Sequence, residues 1–437
     1  MRENRGLRRW AAACAAGAML LASAGCGING EDKNLLPGRK ESEQVVNMFS
    51  PMEKTDPNAE NVARTASDLT IAMAEERLGV TVAYQTYTAE DYQDKTYDEV
   101  ALDRARNDMD DLYLLNPDTI LTLGAEGRLM DLSGLDSAKN LREIVRVANT
   151  VDGKLVAIPQ EVVAYGLFVN VDMFRQYGLE LPNTPEEFLE CCRVFQENGV
   201  DTPVGANRWW LETFVLAQAY ADLYNGGNTE AEIAALNSGE ARYSDYMRPG
   251  FEFLQELIDC GYIDAEKALV SEAIEAERPD FLAGRTPIVM AYWGAANTDT
   301  AYGDTDFEMQ VIGFPSSRGQ MPVIPMTGFA VGAGAEHAED AMRVLDVVTS
   351  DEALQLYSET NRVISPSKNV SVACVPALRP LNDRIEEGVY VLGSNAGMNV
   401  EQWGNTCLIV RQLLGGGTVD ECMAAFDRLQ DAAANRR

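Results

Sequence analysis

The sequence predicts an α/β protein with about two to three domain-sized cores, on three observations. Short apolar runs alternate with amphipathic helical patterns from Val45 onward. The chain has 437 residues, beyond the roughly 250–300 at which a single core stops growing. Hydrophobic residues at 46% and charged residues at 24% are the proportions of a folded chain rather than a disordered one.

Val45-Val46-Asn47-Met48-Phe49, closed by Ser50-Pro51, reads as a buried strand. Val62, Ala66, Leu69 and Met73 then recur at helical spacing, and Gly79 ends that helix before the β-rich run Val80 to Tyr84. Strand, helix, strand implies a parallel pair with a crossover. Further strands are predicted at Leu112 to Leu115, Leu155 to Pro159 and Leu167 to Asn170. Thr184-Pro185-Glu186-Glu187 carries a capping Thr, a Pro at the first helical position and a Glu three residues after the Thr, so a helix opens there with Phe188, Cys192 and Phe195 on one face. Pro287 to Ala291 and Gly328 to Val331 are strand-like, and Ala341, Leu345 and Val348 stripe a later helix. No period of about 20–50 residues appears, which excludes a solenoid.

Charge narrows the function. With 36 basic and 68 acidic side chains and a formal charge of −32, the surface repels phosphate backbones and anionic headgroups, so nucleic acid and polybasic membrane adhesion are excluded as partners. His337 is the only histidine, which rules out a multi-His metal site within one chain. No metal and no cofactor are expected.

The amino terminus has the pattern of an export signal: Arg2, Arg5, Arg8 and Arg9, an apolar stretch from Trp10 to Ala24, then Gly25-Cys26. Ser23-Ala24-Gly25-Cys26 resembles a bacterial lipobox, with Ser23 in place of the usual Leu. A signal over residues 1–25 and a lipidated Cys26 at the outer face of the cytoplasmic membrane are therefore expected, with the anchor as the only membrane contact. Residues 26–43 would form a polar tether spanning about 20–25 Å as a coil. Of the other cysteines, Cys191, Cys192, Cys260, Cys374, Cys407 and Cys422 are too sparse for a disulfide scaffold and make no C-x-x-C, and their pairing stays open. Cys192 reads as a small buried thiol.

Catalytic patterns are weak. Ser365-Pro366-Ser367-Lys368 fits S-x-x-K, but its companions S-D-N and K-T-G are absent, and a turn is the better reading. Gly332-Ala333-Gly334 has His337 where a dinucleotide loop needs a third glycine. Asp108, Asp110 and Asp111, or Asp304, Asp306 and Glu308, lack the glycine and distal Glu of a calcium loop and read as solvated acids. No catalytic residue is assigned. The tryptophans say more: Trp209, Trp210, Trp293 and Trp403 occupy positions that a core pattern does not demand, and neighbouring Trp209 and Trp210 cannot both point into one core. Indoles stack on the apolar faces of neutral sugars, whose hydroxyls need carboxylates, amides or Arg. Core filling is an equal alternative for any one of these rings.

The chain resembles the extracellular solute-binding proteins of family 1, the maltose-binding-like lipoproteins of ATP-binding-cassette sugar importers. The resemblance rests on Asp111 to Asn116 with Gly127 to Leu132, Gly153 to Pro159 running to Tyr165 to Asn170, Thr184 to Phe188, and Phe281 to Arg285 leading to Trp293, in the family's order. Val169 departs from it, replacing a common Tyr. The resemblance implies a two-lobe periplasmic-binding-protein-like fold of type II, with mixed sheets flanked by helices and a ligand cleft between the lobes. Lobe 1 would hold 44–159 plus 311–364 and lobe 2 would hold 160–310 plus 365–437, with crossings near Pro159, Val311 and Ser365. Carried over by position, Glu53, Asn116 and Asp118 would offer polar contacts from lobe 1, and Gln160, Glu161 and Tyr165 would lie beside the first crossing. Trp209, Trp210, Trp293 and Trp403 would stack on ligand from lobe 2. The implied function is capture of a carbohydrate, an oligosaccharide in size, by a monomer that delivers it to the permease subunits of the importer without altering it. Two alternatives stay open: binding of a peptide, amine or glycerol phosphate, and a surface hydrolase.

Overall fold

The computed structural model describes residues 44–435 apart from 55–64, 89, 93–94, 209, 272–275, 294–304, 374 and 396. The signal, Cys26, the tether, Trp209 and Cys374 fall outside the described residues, as does the side chain of Trp293. The strands, in chain order, are β1 (Val45–Ser50), β2 (Thr81–Thr86), β3 (Leu112–Leu115), β4 (Thr150–Val151), β5 (Lys154–Leu155), β6 (Ala164–Asn170), β7 (Val204–Gly205), β8 (Ile288–Trp293), β9 (Met309–Ile312), β10 (Val323–Ile324), β11 (Gly328–Val331) and β12 (Val391–Leu392). The chain divides into two compact units. The first comprises Met1–Val162, Thr327–Asn361 and Ser365–Val372, and the second Val163–Met326, Arg362–Ile364 and Ala373–Arg437.

The first unit is built on a four-stranded sheet in the order β11-β3-β1-β2. β1 runs parallel to both β2 and β3, and β11 closes the edge antiparallel to β3. Every residue of β3 is buried, as expected of a strand covered on both faces. The helix Ala66–Leu78 starts in a capping box of Thr65 and Asp68 and stops at Gly79, whose φ of 67° is left-handed. The helix Tyr97–Arg106 starts the same way from Thr96 and Glu99. Phe49 stacks on Tyr97 with centroids 5.1 Å apart, joining the sheet to that helix.

The second unit carries a six-stranded sheet in the order β12-β10-β6-β8-β7, with β9 also paired to β6. All seven residues of β6 are buried. Gly166 in its middle is required by packing, because a Cβ there would lie 2.3 Å from the carbonyl oxygen of Ile312. The predicted capping box at Thr184 and Glu187 opens the helix Pro185–Glu197, and Cys192 on its inner face is 0% exposed. Against the helix Glu212–Asn225 packs the helix Tyr243–Asp259. Gly250 makes that contact close, since a Cβ there would sit 2.5 Å from the Val215 carbonyl oxygen.

Two expectations need correction. The run Leu155 to Pro159 is not one strand: β5 ends at Leu155 after a tight hairpin with β4, and only Ile158 pairs onward, with Phe329. The chain also passes out of the second unit after Met326, not near Val311, because β9 and β10 both pair with β6. The passage predicted near Pro159 follows Val162, and that near Ser365 is split between Asn361 and Ala373.

Candidate functional site

In the second unit three aromatic rings meet. Tyr165, the second residue of β6, packs against Trp210 at 5.3 Å between centroids and against Trp403 at 5.1 Å. Different elements supply them: Trp210 sits in the turn before the helix Glu212–Asn225, which the Thr213 amide holds by donating to the Trp210 carbonyl at 3.0 Å, and Trp403 is the first residue of the helix Trp403–Leu414. Gly393 leaves room for the Trp403 indole, as a Cβ there would come within 2.5 Å of its Cε3. The backbone of Trp293 pairs with Ala164, next to Tyr165. Of the four tryptophans predicted to act together, Trp210 and Trp403 are thus in one cluster, both largely buried at 1% and 7% exposure.

Glu212 lies two residues beyond Trp210. It is 0% exposed, and neither carboxylate oxygen has a hydrogen-bond partner among the described residues. Burial, with the Cys407 thiol nearby, pushes its proton affinity far above that of an ordinary carboxyl, against the pull of Arg411. Nothing in the sequence marked this residue, because an acid at the start of a helix is ordinarily solvated.

The polar residues expected from lobe 1 sit at the carboxyl ends of the parallel strands, where open α/β sheets bind ligands. Glu53 is exposed after β1. Asn116 follows β3 and donates through Nδ2 to Asp98 at 3.0 Å, while the Thr119 hydroxyl donates to the same oxygen at 2.6 Å. Burial raises the Asp98 carboxyl, and the two donors partly offset that. Asp118 is partly exposed in the first turn of the next helix. Gln160 is committed to the fold: its amide donates to Thr70 Oγ1 at 2.8 Å and to the Val348 carbonyl at 3.0 Å, and its Oε1 accepts from Ser67. A solute would have to displace those bonds. Glu161 accepts a 3.3 Å bond from the Tyr357 hydroxyl, and burial pushes its carboxyl up to about 7.

Two tyrosines unmarked by the sequence reading, Tyr87 and Tyr92, lie at the same edge and stack with centroids 5.6 Å apart. The signal was there as the density Tyr84, Tyr87, Tyr92, Tyr97.

A family model for bacterial extracellular solute-binding proteins matches residues 62–355. The chain belongs to that family. Its fold is similar to that of a family 1 extracellular solute-binding protein from Bifidobacterium longum subsp. infantis, at 17% identity over 89% of this chain and 99% of the other, with a TM-score of 0.69. A chitin oligosaccharide binding protein matches at 16% identity over 90% and 99%, with a TM-score of 0.69. A sugar transporter from Bacillus licheniformis in complex with stachyose matches at 17% over 90% and 100%, with a TM-score of 0.64. No curated protein matches the chain. Identities this low establish a shared α/β solute-binding fold.

Membership of an extracellular family implies export, and no helix among the described residues is long and apolar enough to cross a membrane. The family and its structural neighbours are binding proteins, and the weak catalytic patterns of this solute-binding protein are occupied by structure. Ser365 Oγ accepts from the Ser367 amide at 3.2 Å, and Ser367 donates to Asp351 at 2.5 Å, in a turn rather than a helix. Asp110 is held by Arg104, and Asp111 accepts from the amides of Asn47 and His337, both at 2.9 Å or less. No group of potential metal ligands occurs among the described residues. A separate cavity of about 470 Å³ in the second unit has no aromatic lining, and its Lys267 and Arg285 both pair with Asp280.

Proposed function

We propose that this solute-binding protein captures a carbohydrate, in the size range of an oligosaccharide, and delivers it unchanged to the permease of an ATP-binding-cassette importer. In this reading Cys26 carries the lipid that keeps the protein at the outer face of the cytoplasmic membrane, and the protein works as a monomer. The observation that carries the proposal is the match to the extracellular solute-binding family over residues 62–355; the cluster of Tyr165, Trp210 and Trp403 is packed at 3%, 1% and 7% exposure and does not itself offer a free ring face. Aromatic faces suit the C–H faces of pyranose rings, and a neutral guest is compatible with a protein of net charge −32. Structural neighbours include a chitin oligosaccharide binding protein and a protein in complex with stachyose, which supports the same class of solute.

Thermal shift against a panel of neutral oligosaccharides tests this. A ligand at 100 times its dissociation constant adds about 2.7 kcal/mol to stability. At least one sugar should raise the melting temperature, and the sugar should be recovered intact. A panel without any shift, or steady product release, would refute the proposal.

A further inference from the structure

We propose that the stacked pair Tyr87 and Tyr92 is a second carbohydrate-contacting surface, carried by the first unit, on which a pyranose ring of the solute stacks. This inference rests on the carbohydrate reading above and adds residues to it that neither motif nor resemblance supplied.

The placement comes first. Tyr87 directly follows β2, and its amide donates at 3.0 Å to the carbonyl of Ser50, the last residue of β1. It therefore marks the carboxyl edge of the parallel strands, the edge that also carries Glu53 and Asn116.

Next is the way the rings are held. They lie 8° from parallel with centroids 5.6 Å apart. The Tyr87 hydroxyl donates to the Lys95 carbonyl at 2.8 Å. The Tyr92 hydroxyl accepts from Arg104 Nη1 at 3.1 Å, and Arg104 is itself fixed by two 2.7 Å bonds to Asp110. Behind them, Tyr97 meets Tyr87 edge-on at 5.7 Å and stacks on Phe49. Anchoring both hydroxyls removes the rotamer freedom that a flexible aromatic would lose on binding, so the surface is preorganised.

Exposure separates the pair from the core. Phe49 and Tyr97 are buried at 0% and 5% exposure, whereas Tyr87 and Tyr92 both stay partly exposed. Tyr92 lies in a turn outside helix and strand, so no pattern of regular structure requires an aromatic there. A rigid, half-open tyrosine pair whose hydroxyls are both bonded to the fold offers its ring faces to a solute. That matches the C–H face of a neutral sugar and not a phosphate.

The test is isothermal titration of the full chain with stachyose, chitotriose and maltotriose. Tyr92→Leu should weaken binding about 3- to 10-fold, the range of one lost aromatic contact, with the circular dichroism spectrum unchanged. Tyr92→Trp, which keeps a stacking face, should bind within about 2-fold of the native chain. If the native chain binds and Tyr92→Leu binds equally well, this inference falls and the carbohydrate reading stands. If Tyr92→Trp is as weak as Tyr92→Leu, the effect belongs to the turn and the inference also falls. If the native chain binds none of these sugars, both are overturned.

Discussion

Glu161 should make the stability of this protein depend on pH across neutrality, with a size that its surroundings set. The carboxyl stands one residue before the last of the first unit's opening segment and accepts from the Tyr357 hydroxyl at 3.3 Å, and burial lifts it from an ordinary 4.5 to about 7. The folded state thus holds a proton that the unfolded chain releases between those two values. Stability contributed by the protonated form is complete below pH 4.5, declines as pH rises, and is lost above about 7. Each tenfold change in proton affinity is worth about 1.4 kcal/mol, so the loss approaches about 3 kcal/mol at pH 8. Residual solvent contact makes that figure a ceiling.

Glu161→Gln removes the titration while keeping a carbonyl oxygen to accept from Tyr357. Urea unfolding followed by far-UV circular dichroism, from pH 4.5 to 8.5, should give two stability curves that nearly coincide at the acid end and separate as pH rises, with the variant more stable. Parallel curves across that range would refute the reasoning, because the native carboxyl would then titrate as an ordinary one.

Two further perturbations follow from close contacts. Gly393→Ala would place a Cβ 2.5 Å from Trp403 Cε3 and 2.6 Å from Cζ3, so the indole must move off Tyr165. We expect a loss of about 1–3 kcal/mol and altered tryptophan emission, and an unchanged spectrum would show that the ring is free to yield. Asp110→Asn would strip the charge from a side chain that is 0% exposed and leave Arg104 unpaired beneath Phe49 and Tyr92. Removing one partner of such a pair costs about 3–5 kcal/mol, measurable as a lower urea midpoint.

Much of the fold was legible because burial on both faces leaves continuous apolar runs. β3 spans the predicted Leu112 to Leu115, and β1 and β11 begin where the pattern puts them. Local chemistry was equally readable at Thr184 and Gly79, where a cap and a left-handed stop depend on neighbours in sequence. What failed to show depends on partners distant in the chain. β6 begins at Ala164 rather than Leu167 because Gly166 interrupts the apolar run, and only the approach of Ile312, 146 positions later by numbering, explains that glycine. Gln160 looked available to a ligand until Thr70 and Val348 took its amide.

The same distinction separates the site residues. A polar side chain can be assigned to a ligand only after its protein partners are known, and sequence spacing does not reveal them: Asn116 is drawn to Asp98 and Gln160 to Thr70. Aromatic rings keep a second face even when one face is packed. That holds for Tyr87 and Tyr92, which stack on each other and stay partly exposed, and not for Tyr165, Trp210 and Trp403, which are packed at 3%, 1% and 7% exposure. For a neutral solute this makes an exposed ring face a more discriminating guide than a polar side chain already bonded to the fold.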